Sequence, residues 1–198
     1  MKEFPTERIN SWIFDLDNTL YPAECNLFAQ IDERMGRFIS NLLDVDRVEA
    51  RRVQKDYYFK YGTTLNGLMQ EHGLDPHDYL DFVHDIDHSA LPQLPELKTA
   101  LDQLEGKKFI FTNGSKRHGE RVAEELGILD AFDGIFDIAA ASFTPKPNKE
   151  AYDLFLKHHN VSPERAVMFE DLHPNLQAPH VLGMATVLVN STYDDHPS

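Results

Sequence analysis

The sequence predicts an α/β protein, in which a parallel β-sheet core flanked by helices carries an all-helical segment inserted after the first strand. Three observations support this. A short apolar run ends in two acids at SWIFDLDNTLYP (11–22). Residues 22–90 then keep helical periodicity and offer no strand candidate. From Leu91 onward, short apolar runs alternate with helical segments, the pattern of a parallel sheet covered on both faces.

Residues 11–16 read as the first strand, ended by the turn chemistry of Asn18–Pro22. Between Asn26 and Leu43, the residues Phe28, Ile31, Met35, Phe38, Ile39 and Leu42 recur at helical spacing. Val48–Tyr61 and Thr64–Glu71 read as further helices, and Asp75-Pro76 starts a fourth through Tyr79, Leu80, Phe82 and Val83. Pro95 opens a helix carrying Leu97, Leu101 and Leu104. A strand at KKFIFTNG follows, then a helix over about His118–Leu126 stopped by Gly127. IFDIAA, AVMFED and ATVLV read as three more strands. Between them lie helices at Asn148–His158 and Asn175–Leu182.

The formal net charge of −14 argues against a binder of nucleic-acid polymers, whose phosphates attract basic surfaces. It also sets a condition: an anionic substrate needs a locally positive site. With Cys25 the only cysteine, no intrachain disulfide forms. The start, MKEFPTERIN, lacks the apolar run of a signal peptide, and no apolar run is long enough to cross a bilayer. A cytoplasmic protein without a membrane partner is the expectation. The sequence leaves the oligomeric state open.

Ligands of an open parallel sheet bind beyond the carboxyl ends of its strands. Those ends carry Asp15 and Asp17, then Thr112-Asn113-Gly114, then Glu170-Asp171, with Lys146-Pro147 in the loop after the third strand. Clustered carboxylates repel one another, and a hard divalent cation with oxygen ligands, Mg²⁺, relieves that repulsion. Mg²⁺ and Lys146 together would receive a phosphate on an acidic protein. Thr112 and the backbone N–H groups around Asn113 and Gly114 would add donors. Asp15 is then free to act as nucleophile and Asp17 as acid and base. Each motif alone also has a local reading: an Asx-capped turn, a surface loop, a helix cap. Their recurrence in order, each at a strand end, argues against coincidence.

FDLDNT (14–19), FTNG (111–114), KP (146–147) and FED (169–171), with the helical insert between the first two, resemble the four motifs and cap domain of the haloacid dehalogenase-like hydrolase superfamily. DLDNTLYP, YGTTLNGL, HDIDH, FTNGSKRH, LGILDAFDGIFDI and LGMATVLV are similar to its pyrimidine 5′-nucleotidase branch. The resemblance implies a Rossmann-like core over residues 1–21 and 91–198 and a helical cap over 22–90. It implies an aspartyl-phosphate on Asp15. It also implies Mg²⁺ held by Asp15, the backbone carbonyl of Asp17 and Asp171, with Glu170 supporting through water. Lys146 would bind phosphate, and Asp17 would protonate the leaving oxygen and then activate water. Dehalogenases of the superfamily need no such second acid, so Asp17 favours phosphoryl transfer. Two departures bear on the metal loop: Leu172 stands where a small hydroxyl residue is usual, and Pro179 interrupts the following helix.

In the insert, Tyr61, Thr63 and Thr64 could face the substrate, while Tyr57, Tyr58 and Tyr61 could equally pack the cap. His84 and His88 read as lying on one helical face, in a solvated or hinge role rather than as zinc ligands. Cys25 reads as a packing residue. Arg34, Arg37, Arg51 and Arg52 read as helix-surface charges. The expected activity is Mg²⁺-dependent hydrolysis of a small phosphorylated metabolite, UMP or CMP foremost. The rivals are a sugar-phosphate phosphatase or phosphomutase, and a non-catalytic phosphate-binding or regulatory protein.

Overall fold

The computed structural model describes residues 8–189. The first seven residues of the MKEFPTERIN stretch and the last nine of the expected core range lie outside the described residues. Five parallel strands make one sheet in the order β3-β2-β1-β4-β5: β1 Ser11–Phe14, β2 Lys107–Phe111, β3 Gly134–Phe136, β4 Ala166–Glu170 and β5 Ala185–Leu188. In register, Ile13 faces Phe109 on one side and Met168 on the other.

Strand period decides how the core divides. Trp12, Phe14, Ile110 and Val167 point to one face and pack under helices α5 (Pro95–Gln103) and α6 (Lys116–Glu125) through Leu101, Val122 and Ala123. Ile13, Phe109, Phe111, Ala166 and Met168 point to the other. There they meet α7 (Lys149–His159) and α8 (His173–Leu182) through Ala151, Tyr152, Phe155 and Leu176. Both faces are apolar, so the strands read as continuous hydrophobic runs rather than alternating ones.

Between β1 and α5 lie four helices: α1 Leu27–Leu43, α2 Arg47–Tyr61, α3 Thr64–His72 and α4 Pro76–Val83. They share a separate cluster built on Ile31, Ile39, Ala50, Leu65, Leu68, Tyr79 and Leu80. Caps set their limits. The Asp46 carboxylate accepts from Val48 N and Glu49 N, the Thr63 hydroxyl from Asn66 N, and the Asp75 carboxylate from His77 N. Gly62 and Gly73 end α2 and α3 at φ 82° and 64°. No helix among the described residues is long and apolar enough to cross a membrane.

Three expectations change. IFDIAA is a strand only to Phe136, because the Asp137 carboxylate accepts from Lys116 N at 2.8 Å and Ala140 N at 2.9 Å and folds the chain into a turn. HDIDH is not helical: α4 ends at Val83, and residues 85–88 form a linker back to the core. Pro179 does not interrupt α8, which runs on to Leu182. The carbonyl that Pro179 leaves without its helical donor is that of Asn175, and the buried Tyr152 hydroxyl donates to it at 2.6 Å.

Candidate active site

The end of β1 extends the ladder one residue further, with Asp15 N donating to Phe169 O at 2.9 Å. That bond fixes the backbone of Asp15 beside the end of β4. The residue is 7% exposed. Thr19 Oγ1 donates to Asp15 Oδ2 at 3.0 Å, and Lys146 Nζ donates to Oδ1 at 2.7 Å. Thr19, in the FDLDNT motif, is thus a partner of Asp15 that the motif pattern alone does not single out.

Lys146 is 2% exposed, and its ammonium spends all three donors: on Asp15, on Glu170 Oε1 at 2.8 Å and on Phe111 O at 2.8 Å. Asn113 grips its backbone from both sides. Lys146 N donates to Asn113 Oδ1 at 2.8 Å, and Asn113 Nδ2 donates to Lys146 O at 3.1 Å. The Asn113 side chain thus positions the backbone of Lys146. The buried Thr112 hydroxyl accepts from Gly114 N at 2.9 Å, which curls the turn after β2. Glu170 also accepts from Asn175 Nδ2 at 2.6 Å and Leu172 N at 2.8 Å. Leu172 contributes its backbone there while its side chain points to solvent.

Asp15, Glu170 and Asp171 bring carboxylate oxygens within 4.8 Å of one another. One ammonium cannot neutralise three clustered acids, two of them buried. Burial and the neighbouring carboxylates push Asp15 up to about 7 despite Lys146. Burial, then Asp15 and Glu170, push Asp171 up to about 8. Burial lowers the Lys146 ammonium, but Asp15 and Glu170 outweigh it and raise it above the ordinary lysine range. A carboxylate cluster that retains protons for lack of positive charge fits a hard divalent cation. Glu170 already accepts three hydrogen bonds, so Asp15 and Asp171 are the side chains with the most capacity for one.

Asp17 has a different setting. Tyr21 OH donates to its Oδ1 at 2.5 Å, and His118 Nε2 lies 2.9 Å from the same oxygen. Burial pushes Asp17 up, yet His118 and Tyr21 outweigh it and hold the carboxyl down at about 2. His118, buried on α6, was missed at the sequence level. Of the solvated or hinge role expected, the solvated part fails for His88, which is buried, while half-buried His84 stacks on His118 with centroids 4.4 Å apart.

In the insert, Thr64 is buried and its hydroxyl donates to Gln54 O at 3.2 Å, inside the helix packing. Tyr61 hydrogen-bonds Glu71 and lies under the Lys60 ammonium. The Tyr61–Thr63 turn still reaches the core. A Cβ built on Gly62 would sit 3.5 Å from Pro145 Cγ and 4.0 Å from Asn148 Nδ2, in the loop that carries Lys146.

A parallel α/β core with a helical insert behind its first strand, and an acid–lysine cluster at the strand ends, defines the class: an enzyme working at the sheet's carboxyl edge. A family model for haloacid dehalogenase-like hydrolases matches residues 9–183, and the chain belongs to that family. "Phosphate metabolism protein 8" of Saccharomyces cerevisiae is 30% identical over 195 residues, covering 89% of this chain and 60% of that protein. Validoxylamine A 7′-phosphate phosphatase of Streptomyces hygroscopicus subsp. limoneus is 28% identical over 116 residues, covering 54% of each chain. The chain thus spans little more than half the length of these curated relatives. CbbY (mutant D10N) of Rhodobacter sphaeroides, solved with xylulose-(1,5)bisphosphate, has the same fold at TM-score 0.66 and 20% identity, covering 96% of this chain and 90% of that one. The HAD phosphatase of Thermococcus onnurineus matches at TM-score 0.62 and 20% identity, covering 94% and 89%.

Proposed function

We propose that the protein is a phosphomonoesterase working through an aspartyl-phosphate on Asp15. The observation that supports this most is the buried triad of Asp15, Lys146 and Glu170, with Lys146 Nζ 2.7 Å and 2.8 Å from the two acids. The lysine opposes the burial that raises Asp15, aims its carboxylate, and carries positive charge to a phosphoryl group on an otherwise acidic protein. Asp15 Oδ attacks phosphorus, and the phosphorus–ester oxygen bond breaks. Asp17, ionised at rest, takes up a proton as the phosphate ester binds and gives it to the departing oxygen. Asp17 then takes a proton from water as that water attacks phosphorus, and the bond to Asp15 breaks to release phosphate. Asp15, Asp171 and the Asp17 backbone carbonyl would hold Mg²⁺, which supplies charge stabilisation to the phosphoryl oxygens.

Helices α1–α4 act as the cap, residues 22–90, over a core of 1–21 and 91–198. The favoured substrates are pyrimidine nucleoside monophosphates, UMP and CMP, on the similarity of the motifs quoted above. Phosphate release across a panel of nucleotides, sugar phosphates and p-nitrophenyl phosphate, with and without Mg²⁺, tests this. UMP and CMP should lead the panel. A preference for sugar phosphates would replace the nucleotide assignment, and no release from any ester would overturn the phosphatase reading.

A further inference from the structure

His118 and Asp17 lie 101 positions apart in the chain and meet at 2.9 Å. His118 is 2% exposed, and of its two ring nitrogens only Nε2 has a partner among the described residues. His88, buried beside it, leaves both ring nitrogens without a partner among the described residues, so burial alone does not demand the bond that His118 makes. His118 spends its only hydrogen bond on the carboxylate read above as acid and base. Tyr21 takes the same Oδ1 at 2.5 Å. Two groups on one oxygen fix the plane of the carboxylate. Among the described hydrogen bonds, none uses Asp17 Oδ2. Oδ2 is then the oxygen left to exchange protons with leaving group and water.

The two partners come from opposite directions. Tyr21 sits on the outgoing passage between β1 and the insert. His118 sits on α6 of the core, but the ring stacked on it belongs to His84, where the chain returns from α4. The stack is close and nearly parallel, at 4.4 Å and 11°. His84 Nδ1 is also 3.0 Å from Ser115 Oγ, the N-cap of α6. Both chain passages between insert and core therefore converge on Asp17, one directly and one through His84 and His118.

We infer that His118 is a positioning residue for Asp17, and that the His84–His118 stack ties the orientation of the acid to the return linker of the insert. This rests on the reading of Asp17 as acid and base. Proton transfer needs the acid within hydrogen-bond reach of the leaving oxygen. A carboxylate on a strand-end loop keeps that placement only if neighbours lock its rotamer. The insert contacts the acid through both linkers, so its placement and the acid's orientation are set together.

The test uses the full chain with Mg²⁺. His118→Phe keeps a ring for the stack and removes the hydrogen bond. It should lower turnover of a nucleoside monophosphate, a poor leaving group, by roughly 10–10²-fold, part of the full value of a positioned acid–base group. p-Nitrophenyl phosphate needs little protonation and should lose far less in the first step. His118→Gln, which offers an N–H again, should recover part of the loss. In an Asp17→Asn background, His118→Phe should cost nothing further, because two residues acting as a unit are not additive. His84→Ala should give a weaker loss with the same leaving-group pattern.

Equal losses on both substrates, or a full additional loss in the Asp17→Asn background, would mean that His118 only packs the core, and the inference falls. A loss from His84→Ala that ignores the leaving group would remove the linker from it. Should His118→Phe fail to fold, His118→Gln and His84→Ala in both backgrounds carry the same decision. If Asp17→Asn turns over nucleotides like wild type, the acid–base reading itself fails and this inference goes with it. If Asp17→Asn is impaired and the His118 variants are not coupled to it, only this inference fails.

Discussion

Lys146 Nζ donates to Asp15 Oδ1 at 2.7 Å across 131 positions of sequence, with both side chains nearly sealed from solvent. A buried pair of this kind is expensive to break, because removing one partner strands the other. Lys146→Met would leave Asp15 and Glu170 without their shared cation. The expected cost is about 3–5 kcal/mol of stability. Turnover should fall at least roughly 10²–10³-fold, the value of one preorganised group on a developing charge. Urea unfolding and phosphate release measure the two effects. Near-normal turnover in a folded Lys146→Met protein would remove the lysine from the site.

Asp15 and Asp17 share a loop but not an environment. Asp15 faces Lys146 and the acid cluster, whereas Asp17 faces Tyr21 and His118. Asp15→Asn should abolish phosphoenzyme formation and reduce turnover to background. Asp17→Asn keeps the nucleophile and should lose roughly 10²–10⁴-fold, the range of a positioned acid–base group. Its phosphoenzyme should persist longer, since water is no longer activated. Rapid-quench trapping with labelled substrate separates the two. Trapped phosphate on the Asp15→Asn protein would assign the nucleophile elsewhere.

Protonation of the acid cluster opposes metal binding. Asp15 and Asp171 are raised to about 7 and about 8, above the ordinary 3.8. In the metal-free protein the folded state therefore binds these protons more tightly than the unfolded chain does. That contribution to stability is fully present below the ordinary carboxylate range and is lost as pH rises through about 7 to 8. Mg²⁺ must displace the same protons, so its apparent affinity should climb with pH and level off above about 8. Thermal unfolding with and without Mg²⁺ should show a larger stabilisation at about pH 8.5 than at about pH 6. EDTA should abolish activity, and Ca²⁺, with its looser shell, should not restore it. A Mg²⁺ stabilisation that shrinks with rising pH would contradict this.

The turn joining α2 to α3 meets the loop of Lys146 at Gly62, with Tyr61 and Thr63 on either side. Tyr61→Ala should shift the ranking among nucleotides and leave p-nitrophenyl phosphate less affected, because that substrate gives the cap little to grip. Thr64→Val should instead cost about 1 kcal/mol of stability through its lost bond to Gln54 O, without changing the ranking. Comparing kcat/KM across the panel decides. Uniform losses in the Tyr61 variant would make that residue structural.

The sheet and its site were legible because both are written locally. Apolar runs such as WIF, FIF and VMF are followed directly by the polar residues Asp15, Thr112 and Glu170, and the parallel order brings those ends together. Acids, lysine and threonine could thus be grouped before any distance was known. What stayed hidden depends on partners distant in sequence. No glycine or proline marks the end of α4 at Val83, so His84 and His88 kept an apparent helical spacing that the chain does not adopt. His118 is a single histidine on a core helix, and only the fold shows that it meets Asp17. The chain turns after Phe136 because Asp137 caps two backbone N–H groups, one of them on α6. Asp137 lay inside an apparent strand, where its burial and partners leave no trace in the pattern.

Pro179 gives the last prediction. A proline inside a helix should break it, since one carbonyl loses its donor and the ring crowds the preceding turn. Here the carbonyl is that of Asn175, and Tyr152 OH, reaching from α7, donates to it at 2.6 Å. The same Asn175 side chain donates to Glu170 at 2.6 Å, so the repair also braces the acid beside Lys146. Tyr152→Phe should leave the carbonyl buried without a partner and cost about 1–3 kcal/mol. Pro179→Ala restores a helical N–H for that carbonyl. In the Pro179→Ala background the same Tyr152→Phe change should therefore cost clearly less. A double-mutant cycle in urea reads the difference directly. Identical costs in both backgrounds would show that the tyrosine hydroxyl does not compensate for the proline.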